Sequence, residues 1–355
     1  LAACADKYTI LRGVSHTLGA HRLGQEYINT GTRPLASLEY PGYGAVVTKE
    51  RPGSIDMPGF VAIPNTRQKA GFLGVKYAPL NTGETPKKGR PFTVRGIALA
   101  NGLTITDVEK RQGLLKDLDT TFSSIEKDNQ LLDGLDKFSR QAYSMITSKK
   151  AREAFDIGKE PAARSETYGE SPFGQSCLLA TRLVESGVRF VTVSTGGWDT
   201  HRDNFPKLKD KLLPPFDQAV AAMLGDLEQR GLLERTAVFV TGEFGRTPRI
   251  SNQPSSGPGK ASRPKGTRQP GRDHWPRANS MVFAGGGMET GQVIGATDPR
   301  GEEPVKRRVS PYDFLATIYH HLGIDTRHTA LTDFGGRPVP VLSKGTPIPE
   351  LTGRS

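Results

Sequence analysis

Cysteine is almost missing from this sequence: Cys4 and Cys177 are the only two in 355 residues. Two thiols are too few for a disulfide framework or a thiolate metal site. Cys177 lies on the apolar face of an expected helix and reads as a buried structural thiol. Long apolar runs are missing as well. No stretch reaches the ~20 apolar residues that cross a bilayer, so no membrane span is expected. Apolar residues amount to 35%, on the low side, against 41 Gly and 26 Pro. That mixture suits a sheet joined by long, irregular connections. Aromatic residues and regular apolar runs remain, which argues against global disorder. Acidic residues nearly vanish between Arg246 and Arg277. Eight Lys/Arg face one Asp there, so +7 of the +11 formal charge sits in one loop region. The opening LAACADKYTILRG has neither an initiator Met nor a visible signal. The natural N-terminus is read as lying upstream, so the missing signal says nothing about compartment.

What is present is organised around VRFVTVSTGGWDTHRDN, Val188–Asn204. Val188 and Phe190–Val193 read as a buried strand of a parallel sheet. The strand runs out into Gly196–Gly197, where the backbone can turn sharply. Trp198, Asp199, His201, Asp203 and Asn204 follow at once. Open α/β sheets place ligands at their carboxyl edge in this way.

Taken in order, Lys7–Arg12 is a candidate strand leading to Ser15, His16 and His21, with one or two helical turns over His21–Asn29. Pro34–Pro91, dense in Pro and Gly, reads as an irregular surface region or a strand-poor insertion. From Thr106 to Phe155 apolar residues recur at three and four, which predicts a pair of amphipathic helices. Ser171 and Pro172 look like N-cap and N1 of a helix ending at Ser186-Gly187. A long helix is expected over Pro206–Arg230, stopped by Gly231. Further strands are expected at Thr236–Thr241 and Ser280–Ala284, and a helix capped by Ser310 over Ser310–Leu322. Asn252–Gly271 is almost free of apolar residues and is expected to be a mobile basic loop. The alternation of helix and strand calls for a mostly parallel sheet covered on both faces. Val188–Ser194, Thr236–Thr241 and Ser280–Ala284 would then be parallel neighbours or near-neighbours, with their ends on one edge.

Asp199, His201, Glu243, Asp273 and His274 all stand at strand ends or in loops. Carboxylate oxygen with imidazole nitrogen suits a divalent ion such as Zn, Mn, Mg or Ca. The plain alternative is that these residues cap helices and pair with Arg246, Arg249 and Arg272. Five at one sheet edge favour the metal site.

GGWDTHRDNF, TGEFGRTPRI, GRDHW, AGGGMETGQVIGATD and DFGGRP together resemble the family called domain of unknown function 1501. That family is placed with sulfatases and alkaline phosphatases in one superfamily of metal-dependent α/β/α hydrolases. The resemblance is strong from Ser171 to Arg337 and extends to Tyr8–Gly31. It implies a three-layer α/β/α sandwich with a mostly parallel sheet, as one domain over residues 1–355. A helical insertion would occupy 106–156 and the basic loop 252–271. By order and setting, Asp199 and His201 look like a late pair of metal ligands. Glu243 resembles the acid of the next pair and His274 the last ligand, with Asp273 beside it. Ser15–Gly31 resembles the nucleophile-bearing turn, which makes Ser15, His16 and His21 the catalytic candidates, with Arg246 to hold an anion. Two departures stand out: Phe244 occupies the place of a second ligand, and a Gly-Gly-x-Ser-x-x-Asp stretch is absent from the chain. The resemblance also implies twin-arginine export to the periplasm or outside the cell.

Three functions compete. The first is metal-dependent hydrolysis of sulfate or phosphate esters, the metal polarising the ester and Arg246, Arg249 or Arg272 holding the anion. The second is a non-catalytic descendant that binds anionic polysaccharide or another partner. The third, nucleic-acid binding, ranks low because no aromatic-interleaved basic surface or reader motif is present.

Overall fold

The computed structural model describes residues 1–94, 97, 110, 143–254 and 264–353. The first strand, β1 (Tyr8–Val14), buries Thr9, Leu11 and Val14 and leaves Arg12 exposed. This is the alternation of a half-buried strand. A helix over His21–Thr30 follows and ends at Gly31, left-handed at φ 68°, whose N–H bonds Tyr27 O. Gly supplies that left-handed stop without a Cβ penalty.

The Pro- and Gly-rich stretch 34–91 is not the irregular surface region expected of it. It holds a helix, Tyr43–Glu50, with Tyr43, Val46 and Val47 in the core. It also supplies β2 (Phe60–Ile63), buried at all four positions, and the short β3 (Leu80–Asn81). β4 (Phe190–Val193) pairs with β2 in parallel, and β3 lies on the other side of β2, also parallel. A four-residue run with no polar alternation is what a doubly covered central strand looks like. Its glycine and proline surroundings concealed it.

β5 (Val238–Val240) belongs to a different sheet. The chain leaves it through β6 (Gly245–Arg246) and β7 (Ser251–Pro254), then returns through β8 (Arg268–Gly271) and β9 (His274–Trp275) to β10 (Asn279–Ala284). The second sheet is completed by β11 (Val293–Ile294), in the order β11-β1-β10-β5. β10 runs antiparallel to both β5 and β1, while β11 is parallel to β1. The three expected parallel neighbours are therefore split. β4 lies in another sheet, and β10 opposes β5. The reason is the connection. A parallel return needs a crossover, usually a helix. Among the described residues, the chain from β5 to β10 makes only ribbons, β6 against β9 and β7 against β8. The fold is mixed α/β with several sheets, not one mostly parallel sheet. The ends of the expected basic loop are the strands of the β7–β8 ribbon, and its middle, 255–263, lies outside the described residues.

Most of the expected helical pair over 106–156 also lies outside them. Its described end is a helix over Lys149–Phe155, capped by Ser148 and burying Ala151, Ala154 and Phe155. The helix Pro172–Glu185 starts as expected, with Ser171 Oγ accepting from Gly174 N. The expected helix Pro206–Arg230 is present as Asn204–Lys207, a π segment over Leu208–Leu212 and Leu213–Gln229, with helical backbone kept across both joins. Pro214 and Pro215 have no N–H to give to the ladder, and the π segment stands just before them.

The two sheets share one core. Tyr43 meets Phe190 of β4 and Phe239 of β5 edge-on, at ring distances of 5.3 and 5.6 Å. Phe239 in turn meets Phe314 of the helix Pro311–His321 at 5.9 Å. That helix opens on a capping box, Ser310 with Asp313. Ser310→Ala should lower stability by about 1 kcal/mol, read as an earlier urea midpoint with an unchanged slope. An unmoved midpoint would show that the box contributes nothing.

Candidate metal centre

Three short segments meet at the β6–β9 ribbon. The first runs from β1 to the helix whose first residue is His21. The second is the turn after β4: Gly197 is left-handed at φ 90°, Thr200 N bonds Trp198 O at 2.9 Å, and Asp199 and His201 are displayed. The third is β9 itself, whose His274 lies opposite Arg246 of β6. The turn after β4 is sewn to the ribbon, because Arg272 N donates to Thr200 O at 3.2 Å.

Three imidazoles converge on one carboxylate. His21 Nε2 is 3.2 Å from Asp199 Oδ2, while His201 Nε2 and His274 Nε2 are 2.9 and 3.1 Å from Asp199 Oδ1. Each ring is held from behind by its other nitrogen. His21 Nδ1 lies 2.5 Å from Glu243 Oε1, His201 Nδ1 2.7 Å from Asp273 Oδ1, and His274 Nδ1 2.7 Å from Gly19 O. A carbonyl or carboxylate oxygen accepts, so each Nδ1 donates behind its ring, and a ring protonated there alone turns an Nε2 lone pair to the centre. Lone pairs aimed at a carboxylate, and His201 Nε2 only 3.0 Å from His274 Nε2, repel one another unless a cation or extra protons lie between them. Rings backed by carboxylates and carbonyls in this manner are how metal-binding histidines are oriented.

His21, Asp199 and His274 form a group that could hold a metal ion, with one ligand atom from each lying within 4.8 Å of the others. Donors about 2.0–2.6 Å from one ion lie no more than about 5 Å apart. The donor set fits a divalent cation. Phe244, 8% exposed, packs its ring 4.5 Å from that of His274 and 5.3 Å from that of His21. It walls the donors on an apolar side and offers no ligand there.

The charges at the centre are strongly coupled. Burial tends to raise the Asp199 pKa, but the Arg246 guanidinium and the His274 and His21 rings beside it together hold it well below the usual carboxylate range. The Glu243 hydrogen bond raises the His21 pKa, opposed by burial and supported by Asp199. Asp199 remains 47% exposed at its side chain, so the centre is open to solvent and to a ligand.

The other sequence candidates lie at varied distances from this point. Glu243 and Asp273 stand behind His21 and His201, as acceptors for their Nδ1 atoms, and outside the three-donor group. His16 is buried at 7% exposure, its Nε2 bonded to Glu243 O at 2.6 Å and its Nδ1 accepting from Leu18 N at 3.1 Å. Both ring nitrogens are spent on backbone, and burial lowers its pKa. It props the Glu243 segment. Ser15 N bonds Val309 O, and among the described residues no hydrogen bond or ion pair joins Ser15 to the centre. Arg246 donates Nη2 to Asp199 Oδ1 and Nη1 to Arg272 O at 3.2 Å. The arginine pairing weighed as the plain alternative is thus present alongside the cation-shaped donor set. Gly19 O was invisible to sequence reasoning, since a backbone carbonyl carries no residue signal.

A profile of the family described as "Protein of unknown function (DUF1501)" matches residues 1–352. The chain belongs to this family. No curated protein matches it. Among solved structures, Ps i-CgsB in complex with k-i-k-neocarrahexaose is similar at 11% identity and a TM-score of 0.36. The match covers 91% of this chain, which spans 66% of that one. In this DUF1501 member no helix among the described residues is long and apolar enough to cross a membrane.

Proposed function

We propose that this DUF1501 member is a metal-dependent hydrolase of sulfate or phosphate esters, related to the sulfatases and alkaline phosphatases. The observation that carries the reading is the convergence of three imidazole Nε2 atoms on Asp199, each ring fixed through Nδ1. His21, Asp199 and His274 would hold the ion, with His201 as a fourth donor beside them. Glu243, Asp273 and the Gly19 carbonyl fix the ring planes. A divalent ion held there would supply Lewis acidity toward an ester oxygen. Phe244 walls one side, and Arg246, beside Asp199, would grip an anionic group. Export by a twin-arginine signal belongs to the same proposal and rests on the motifs alone.

Elemental analysis of the purified chain should find one divalent ion. Stripping it with EDTA should abolish hydrolysis of 4-nitrophenyl sulfate or 4-nitrophenyl phosphate, and adding back Zn, Mn, Mg or Ca singly should identify the ion that restores it. At a hundredfold excess over its Kd, the ion should add about 2.7 kcal/mol of stability, visible as a higher Tm. No bound metal, and no Tm change with any of the four, would end the proposal. The second reading, a binder of anionic polysaccharide, has one observation in its favour. Among the described residues no Ser, Thr or Cys side chain hydrogen-bonds to His21, Asp199, His201 or His274. Metal binding without turnover, joined to saturable oligosaccharide binding, would select it.

A further inference from the structure

Asp199 already has a cationic partner. Arg246 Nη2 bonds Asp199 Oδ1, the oxygen that His201 and His274 approach at 2.9 and 3.1 Å. The Arg246 side chain is 18% exposed, and Asp199 is its one carboxylate partner among the described residues. Its backbone carbonyl accepts from Arg272 Nη2 at 3.2 Å, while its own Nη1 donates to Arg272 O at 3.2 Å. Arg272 Nε donates to Thr247 O. Arg272 therefore meets carbonyl oxygens and no carboxylate among the described residues. Two guanidiniums, braced on each other's backbone beside the β6–β9 ribbon, have one carboxylate partner between them, Asp199 on Arg246.

We infer that Arg246 and Arg272 form an oxyanion-binding pair whose availability is set by cation occupancy of Asp199. The inference rests on reading the His21–Asp199–His274 group as a cation site. Without the cation, Arg246 competes for Asp199 and is satisfied there. With a divalent ion on Asp199 the carboxylate charge is spent, and the two neighbouring guanidiniums are left without an anion. A tetrahedral oxyanion supplies the missing charge, taken by Arg246 Nη2 once it is released from Asp199 and by the Arg272 N–H groups not spent on Thr247 O and Arg246 O. Sulfate and phosphate groups, free or esterified, share that chemistry. Cation and oxyanion then bind with positive coupling, and each must tighten the other by the same factor.

The test uses the full chain stripped with EDTA, with Mn²⁺ alone, sulfate alone and both together followed by calorimetry at constant ionic strength. In the wild type, saturating Mn²⁺ should tighten sulfate by about fivefold or more, the lower end of ordinary site–site coupling. Arg246→Gln should bind Mn²⁺ alone about fivefold more tightly, because the competitor is gone, and should lose most of the sulfate gain. Arg246→Lys should keep the wild-type Mn²⁺ affinity within about twofold and still lose the gain, since an ammonium competes for Asp199 but has no fork. Arg272→Gln should leave Mn²⁺ affinity unchanged and weaken sulfate. A merely structural role would weaken both ligands together. If Arg246→Gln does not fold by circular dichroism, the Lys variant decides. Coupling that persists in the arginine variants, or Mn²⁺ binding with no effect on sulfate, overturns the inference and leaves the cation site standing. Failure of the wild type to bind any of Zn, Mn, Mg or Ca overturns both.

Discussion

Asp199→Asn is expected to strip the protein of stoichiometric metal and of any hydrolysis that depends on it. Asp199 is the one group that all three imidazole Nε2 atoms and Arg246 approach. The amide keeps the shape and removes the charge. What remains is three imidazole nitrogens beside a guanidinium with no carboxylate among them, and a divalent ion gains little from such a set. Replacing groups that only orient a liganding histidine costs about 10–100-fold in metal affinity or activity. Losing a donor should cost more, so a fall of at least about a hundredfold is expected for Asp199→Asn. Glu243→Gln, which keeps an acceptor oxygen for His21 Nδ1, should fall inside the 10–100-fold range. The order is the informative part. Metal content by elemental analysis and Kd by calorimetry would measure it, with circular dichroism to confirm folding. If Glu243→Gln loses metal while Asp199→Asn keeps it, the ion sits elsewhere and the donor assignment is wrong. Equal, full metal content in both variants would mean that no ion is held here at all.

Much of the local structure was legible because its causes are local. Ser171-Pro172 and Ser310-Pro311 announce helix starts through cap chemistry, and the helices Pro172–Glu185 and Pro311–His321 begin there. Gly31 marks the stop of the His21–Thr30 helix for the same kind of reason. The meeting of Asp199, His201 and His274 was also legible, because each follows or adjoins a glycine-rich turn beside a strand, whereas His21 was legible only as one of three candidates in the first turn, with Ser15 and His16. Sheet direction was not. Whether β10 runs with or against β5 depends on the connection between them, and ribbons too short for a periodic signal take the place of a crossover helix. β2 was missed because four apolar residues among glycines and prolines look alike in a loop and in a central strand. Roles inside the site were harder still. Glu243 and Asp273 have the chemistry of ligands, yet their oxygens face the outer nitrogens of His21 and His201. Sequence can name donors, but only the folded chain says which of two carboxylates lies in front of a ring and which behind. His16 illustrates the converse. It sits in the right turn, with both nitrogens occupied by Glu243 O and Leu18 N.

Gly271→Ala should disable the site without touching a functional side chain. Gly271 ends β8, directly behind the turn that carries Asp199 and His201. A Cβ placed on it would lie 1.7 Å from His201 O and 2.8 Å from Arg202 N. Both are backbone atoms, so no rotamer change can make room. The turn has to move away from the ribbon or the ribbon has to open. Moving the turn strains the Arg272 N to Thr200 O bond and withdraws His201 from Asp273. Overpacking of this sort costs about 1–3 kcal/mol where side chains can yield, and with backbone on both sides about 3 kcal/mol or more is expected. Metal affinity should fall with it, because His201 and Asp199 shift together. Gly225→Ala is the control. Gly225 lies inside the helix Leu213–Gln229 with nothing within 4 Å of an added Cβ. Ala is favoured there by about 0.5–1 kcal/mol, since Gly is a poor helix residue. The two glycine-to-alanine changes should therefore move the urea midpoint in opposite directions, and only the first should change metal binding. If Gly271→Ala is as stable as the wild type and holds its metal, the close approach of β8 to the His201 turn is not what positions this site.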